Sequence, residues 1–350
     1  CIQNHHLSTF SFPMGWLWKK EMKLKIAFAG LRHGHIFSLY DKVLQNPALE
    51  LVGVCEEDEA ASLLATRPDI KLTDCDFDEM LRRSGCDIVA VGDYYAKRGS
   101  LAIRALKAGK HVIADKPLCT SLEELDEIET LVKQTGLKVG CMYELRGVPN
   151  FAAARELILS GTLGKITQIQ FGGQHPLMRG SRPAWYFEPG KHGGTINDIA
   201  SHAIDIIPWL TGLEIQKTVA ARTWQAFNSQ CDCFNDAAQF MLTLNNGCGV
   251  LGDVSYSAPD SIGFAMPTYW RFDIWGTEGM IEFNCSEKHV KAYLKSRKDV
   301  SLIAPPSQAP VDYLESFLRD IAGKPTDLTT SVVLKSTRQT LEIQKAADQA

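Results

Sequence analysis

Lys116, Asp198 and His202 are the side chains whose types and placement point to the oxidation of an alcohol. When hydride leaves a secondary alcohol carbon the hydroxyl proton must leave too, so a base and a cationic hydrogen-bond donor should meet at that oxygen. Asp198 and His202 lie four residues apart on an expected helix, which sets them on one face. His202 suits the base, because an unperturbed imidazole titrates close to neutral pH. Asp198 can orient that imidazole or contact substrate hydroxyls. Lys116 follows a strand and can polarise the reacting oxygen. Singly, each is more often local surface polarity, so the reading depends on their joint occurrence with a cofactor-binding frame.

That frame is expected in the first half of the chain. Lys25 to Ala29 is apolar and β-prone, meets Gly30, and runs into the helix-compatible stretch Ile36 to Gln45. Further strands are expected at Leu49 to Cys55, Ile70 to Leu72, Asp87 to Val91, His111 to Ala114 and Lys138 to Cys141. Helices are expected at Ala60 to Thr66, Phe77 to Ser84, Gly99 to Ala108 and Leu122 to Thr135. Short apolar runs alternating with amphipathic helices predict a parallel sheet with helices on both faces, a Rossmann-type α/β domain. After a long helix, Val148 to Ser160, the pattern becomes β-rich: 166 to 172, 218 to 224, 237 to 244, 249 to 256, 269 to 276 and 279 to 284. These strands and turns such as Asn245-Asn246-Gly247 predict an α+β domain with a large, mostly antiparallel open sheet. A helix at Thr195 to Leu210 interrupts it, and helices at Pro310 to Ala322 and Thr330 to Ala347 close the chain. The expected division is an extension over 1–22, a cofactor domain over 23–143, a substrate and oligomerisation domain over 144–330, and a final helical segment, 331–350, packing back on the first domain.

In such a sheet a dinucleotide pyrophosphate sits on the first strand-to-helix turn, where a helix N-terminus offers unpaired N–H groups. The turn here is Gly30-Leu31-Arg32-His33-Gly34-His35. Only the first glycine of the G-x-G-x-x-G pattern is in place, with Arg32 and His35 at the other two positions. Glu56 ends the next strand, where it would grip a ribose diol. With Glu57 beside it and no arginine following, it predicts NAD in preference to NADP. His33 and His35 lack a third ligand at a recognisable spacing, and Cys231 and Cys233 lack a second pair, so no metal is expected.

The stretch Ala114-Asp115-Lys116-Pro117 resembles the E-K-P motif of the family of glucose-fructose oxidoreductase, inositol dehydrogenase and rhizopine-catabolism proteins, with Asp115 in place of glutamate. Gly193-Gly194-Thr195-Ile196-Asn197-Asp198-Ile199-Ala200-Ser201-His202-Ala203-Ile204-Asp205 is similar to the family's G-G-x-x-x-D-x-x-x-H-x-x-D helix. Gly161 to Ile166 resembles the turn that opens its sheet domain, and the likeness runs from Leu24 to Leu341. The resemblance implies the catalytic roles given above for Lys116, Asp198 and His202, with Lys116 also beside the cofactor. It implies substrate contacts for the segment Tyr143-Glu144-Leu145-Arg146-Gly147-Val148-Pro149, from which Tyr143 and Arg146 are candidates. Where the family often carries T-P-N-x-x-H, this chain has Asp93-Tyr94-Tyr95-Ala96-Lys97-Arg98, and the resemblance sets that loop, Tyr94 included, beside the cofactor. Arg182, Trp185 and Tyr186 are further candidates for the substrate wall, because aromatic rings pack on sugar C–H faces and arginine donates to hydroxyls.

A net charge of −4 supplies no broad basic field, which argues against nucleic acid and for a small-molecule partner, a sugar or polyol. No uninterrupted apolar run reaches the roughly 20 residues of a membrane helix. Ten cysteines with no export signal imply a reducing compartment, the cytoplasm by default. The sheet domain should expose one broad face, through which a homodimer or homotetramer is expected. Two other readings stay open: a glycoside hydrolase that oxidises its sugar transiently with NAD, and a non-catalytic NAD-binding sensor.

Overall fold

The computed structural model describes residues 23–58, 62–227, 231–308 and 310–350. The expected extension over 1–22 and the start of the helix expected at Ala60 therefore lie outside the described residues.

The first sheet is parallel, with five strands: β1 (Leu24–Ala29), β2 (Leu49–Cys55), β3 (Ile88–Val91), β4 (His111–Ala114) and β5 (Val139–Cys141), in the order β2-β1-β3-β4-β5. β3 is buried along its whole length, as expected of a strand covered on both faces. The helices are α1 (Ile36–Gln45), α2 (Phe77–Arg83), α3 (Tyr95–Lys107) and α4 (Leu122–Thr135). α4 shows how locally such elements are specified: Ser121 accepts a hydrogen bond from the Glu124 N–H at its start, and Gly136, at φ 73°, ends it. The strand expected at Ile70 to Leu72 does not form. Chain pairing in that region is reduced to one bridge, Cys55 with Asp74, and Ser62–Thr66 is a 3₁₀ turn rather than an α-helix.

Past α5 (Pro149–Leu159) lies an eight-stranded sheet. Its strands are β6 (Ile166–Pro176), β7 (Ile215–Trp224), β8 (Ala237–Leu244), β9 (Gly249–Ala258), β10 (Arg271–Gly276), β11 (Gly279–Phe283), β12 (Val290–Leu294) and β13 (Ser301–Ile303). Their order is β13-β12-β11-β10-β6-β9-β8-β7, antiparallel throughout except for β6 beside β9. One face buries Phe171, Phe240, Phe272 and Phe283 beneath α5 and α6 (Ser201–Thr211). The other leaves Met241 and Leu251 exposed.

α7 (Tyr313–Ile321) packs on the first sheet, and α8 (Thr330–Asp348) runs between the two sheets. Arg338 on α8 pairs with Asp126 and Glu129 of α4. Farther along, Gln344 accepts hydrogen bonds from the Ile196 and Asn197 N–H groups at 2.9 and 3.1 Å. Gly194 stands against Gln344 at φ 100°, where a Cβ would meet its carboxamide at 2.2 Å.

Candidate active site

The carboxyl ends of the parallel strands are level: Ala29 pairs with Cys55 and Val91, and Ala114 pairs with Val91 and Cys141. The residues that follow those ends, Gly30, Glu56, Asp93, Lys116 and Tyr143, are thereby gathered at one edge. Gly30 has φ 74°, and a Cβ there would lie 2.5 Å from Asp93 Cβ, so the tight turn requires glycine. Gly34 faces open space, and the backbone N–H groups of Arg32, Gly34 and His35 have no acceptor among the described residues. These orphan donors ahead of α1 fit a pyrophosphate. Leu31 is fully buried and contributes its N–H, which donates to Glu56 Oε2 at 2.8 Å.

Arg32 does not crowd the turn. Its guanidinium is drawn sideways to Asp58 at 2.8 Å, Glu56 at 3.5 Å and Asp93 at 3.6 Å, and lies 5.6 Å from the Tyr94 ring. The arginine that sequence reading found missing after Glu56 thus arrives from the turn. Burial, reinforced by Asp93, pushes the Glu56 pKa up.

Lys116 lies directly after β4, and Asp198 sits on a π-helical turn, Ile196–Ala200, that leads into α6. Such turns recur at functional sites. Lys116 Nζ is 2.6 Å from Asp198 Oδ1 and 3.0 Å from the Asp198 carbonyl, and both side chains are at most 5% exposed. Tyr95 donates to Asp198 Oδ1 at 2.8 Å, Tyr256 donates to Oδ2, and His192 Nε2 lies 3.5 Å away. Burial alone would raise the Asp198 pKa, but the Lys116 charge and the His192 and Lys116 hydrogen bonds hold it well below the usual carboxylate range. Asp198 makes no hydrogen bond to His202, so one helical face does not make a pair of them. The imidazole packs instead at 5.0 Å from the Trp270 ring, and its buried Nδ1 has no partner among the described residues. Burial, then the Lys116 charge, holds His202 well below the ordinary imidazole value, so it is a neutral acceptor.

A second cluster lies beneath the turn. Asp115 accepts from Arg98 at 2.8 Å and contacts His33 Nδ1 at 2.5 Å. His33 Nε2 is 3.2 Å from the hydroxyls of both Tyr95 and Tyr186. Asp115 also completes a His33, His35, Asp115 set, the third ligand that the spacing did not reveal. Arg98 already neutralises that carboxylate, which opposes a second cation, and the set reads as a charged support for the turn.

Lys116, Asp198 and His202 line one cavity of about 420 Å³, together with His33, His35, His175, Arg182, Tyr186, Phe264, Tyr269 and Trp270. The other candidates lie elsewhere. Trp185 stands behind Tyr186, ring centroids 4.3 Å apart, and its indole N–H holds the Arg32 carbonyl at 3.1 Å. Tyr143 and Arg146, expected at the substrate, do not line the cavity, although the Tyr143 ring stands behind His202 with centroids 6.4 Å apart. The Tyr143 hydroxyl meets Thr337 at 3.4 Å, while Arg146 grips buried Asp205 at 2.7 and 2.8 Å because that carboxylate needs a countercharge. Sequence reading missed Tyr95, His175, His192, Tyr256 and Trp270. Tyr95 alone carried a signal, as part of the loop that departs from the family pattern.

A parallel dinucleotide-binding sheet joined to an open sheet, with Lys116 from the end of β4 paired to Asp198 on the turn before α6, defines the class: an oxidoreductase with a Rossmann domain. Residues 24–143 match the family model described as "Oxidoreductase family, NAD-binding Rossmann fold", and residues 151–282 match the "GFO/IDH/MocA C-terminal domain". The chain belongs to the Gfo/Idh/MocA oxidoreductase family, and its first domain is NAD-binding. It is 28% identical over 263 residues to scyllo-inositol 2-dehydrogenase (NAD(+)) of Bacillus subtilis, covering 75% of this chain and 74% of that protein. It is 27% identical over 262 residues to levoglucosan dehydrogenase of Pseudarthrobacter phenanthrenivorans, covering 68% and 66%. A crystal structure named for an oxidoreductase of Erwinia carotovora atroseptica aligns with TM-score 0.82 at 27% identity, covering 93% of this chain and 99% of that one. Among the described residues no helix is long and apolar enough to cross a membrane.

Proposed function

We propose that this protein oxidises a secondary hydroxyl of a sugar or polyol to a ketone, using NAD in preference to NADP. The observation that carries the reading is the meeting of Lys116, Asp198 and His202 at one cavity beside the Gly30–His35 turn. NAD held on that turn supplies the hydride acceptor. Asp198 fixes the Lys116 ammonium, which donates to the substrate oxygen and stabilises the charge that develops there. His202, on the cavity wall with a buried Nδ1 that has no partner among the described residues, takes the hydroxyl proton, although burial and the Lys116 charge make it a weaker base than a free imidazole. Phe264, Tyr269 and Trp270 give the C–H faces of the substrate an aromatic wall. The relatives named for scyllo-inositol and levoglucosan support the substrate class.

The nine cysteines in the described residues are free thiols, which supports a cytoplasmic protein. The open sheet face, with Val219, Met241 and Leu251 each more than 40% exposed, supports a homo-oligomer.

A screen of inositols, hexoses and glycosides for NADH formation tests the reading. Lys116→Met and His202→Asn should each lower kcat/KM by about 10²- to 10⁴-fold while NAD still binds. Near-normal rates in either variant would remove the assignment. Release of aglycone without net NADH would instead favour a hydrolase.

A further inference from the structure

The cavity beside Lys116 holds a cation that no carboxylate answers. Asp198 is committed, since Lys116, Tyr95 and Tyr256 all donate to it. Glu144, the other carboxylate on the lining, is exposed. Arg182 pairs with neither, nor with any other carboxylate among the described residues. Its loop fixes it through backbone carbonyls: Nε donates to Leu177 O and Nη2 to Pro176 O, both at 3.0 Å. Nη1 approaches the Tyr186 hydroxyl at 3.4 Å, and the guanidinium lies over the Tyr186 ring, 5.0 Å from its centroid. Three of the five N–H donors of the fork are thereby used and two remain. Arg182 is half-buried, and a guanidinium held in place on a cavity wall with no carboxylate beside it offers its charge to an anion entering the cavity.

The neighbouring imidazoles do not change this balance. His175 is brought down to about 3, chiefly by burial and then by the Lys116 charge, and His202 is likewise neutral. They serve as hydrogen-bond partners for hydroxyls. The cavity, about 420 Å³, is near the lower end of ligand pockets, the size for one sugar unit.

We infer that Arg182 binds a carboxylate of the substrate, so that the preferred substrate is a sugar acid, a uronate or aldonate whose secondary hydroxyl meets Lys116 and His202. This rests on the dehydrogenase reading for the chemistry but not for the binding. The two remaining donors, one on Nη1 and one on Nη2, match in number the two oxygens of a singly charged carboxylate.

The test compares matched pairs in the full-length, NAD-saturated protein: glucuronate with glucose, galacturonate with galactose, gluconate with sorbitol, and glucose 6-phosphate as a phosphate arm. Calorimetry reads binding and NADH absorbance reads turnover. At least one acid should bind, and be oxidised, roughly 30-fold or more better than its neutral partner. Arg182→Gln should collapse that ratio, and Arg182→Lys should retain part of it. If no acid outbinds its partner in the wild-type protein, the inference fails, while NADH from neutral sugars would leave the dehydrogenase reading intact. Preference for the phosphate over every acid would also overturn the carboxylate assignment. Tighter acid binding lost in Arg182→Gln, with no NADH from any compound, would uphold the inference and remove the dehydrogenase reading.

Discussion

Lowering the pH from 7 to 5 should strip stability from this protein through histidines that its fold keeps neutral. His33 is 5% exposed, and its pKa is drawn from 6.5 to about 3, chiefly by burial and against the pull of Asp115. His202, also 5% exposed, is shifted in the same direction by burial and the Lys116 charge. In the unfolded chain each takes up a proton near 6.5, whereas in the fold neither does until much lower pH. The unfolded state therefore binds more protons across that window, and stability falls as the pH falls through it. One such histidine removes about 1.4 kcal/mol per pH unit, so His33 alone removes roughly 2 kcal/mol between pH 6.5 and 5. Against a total of about 5–15 kcal/mol for a folded protein, that is a large share. Asp115 and Asp198 do not offset it, because carboxylates with depressed pKa values lose their contribution only below the unfolded value of 3.8. Glu56 and Glu124, raised by burial, act in the opposite sense at the acid end. Urea unfolding followed by tryptophan fluorescence at pH 7, 6, 5.5 and 5 measures the slope. His33→Gln should flatten it by about 1.4 kcal/mol per unit. A slope that is flat in the wild-type protein, or unchanged in His33→Gln, would refute the reasoning.

Glu56→Ala should raise the KM for NAD more than that for NADP, and an unchanged ratio would separate Glu56 from cofactor choice. Arg146→Met leaves the Asp205 carboxylate buried without its countercharge, at a cost of about 3–5 kcal/mol by chemical unfolding. A rise in substrate KM with normal stability would return Arg146 to the substrate. Met241→Glu places a charge on the open sheet face and should lower the sedimentation coefficient. Identical sedimentation of variant and wild-type protein would show that this face does not hold copies together.

The parallel sheet was legible because its strands are short apolar runs, each closed by a turn residue or a polar group, and every strand that forms lies within a residue of its expected ends. Ile70 to Leu72 looked similar but lies among charged residues, and the chain meets the β2 edge only beyond it, at Thr73 and Asp74. β12 and β13 were missed for the converse reason: Lys291 and its polar surroundings mask strands that exist because β11 offers an edge. Lys116, Asp198 and His202 could be read because a strand end and a short motif are local properties. Their partners could not, since Tyr95 and Tyr256 reach Asp198 across 103 and 58 residues. Arg146 misled for the same reason. Its conspicuous position in a motif said nothing of Asp205, 59 residues on, which claims it.

Gln344 on α8 holds the π-helical turn by its first two amides, although it is translated 148 residues after Ile196. The same C-terminal helices also complete the core of the dinucleotide-binding sheet, through Leu314 and Phe317 of α7 and Val333 and Leu334 of α8. Asp198 gets its final anchor only once α8 emerges. A polypeptide truncated before α8 therefore lacks at once part of the packing under its cofactor domain and the tether of the turn that carries Asp198.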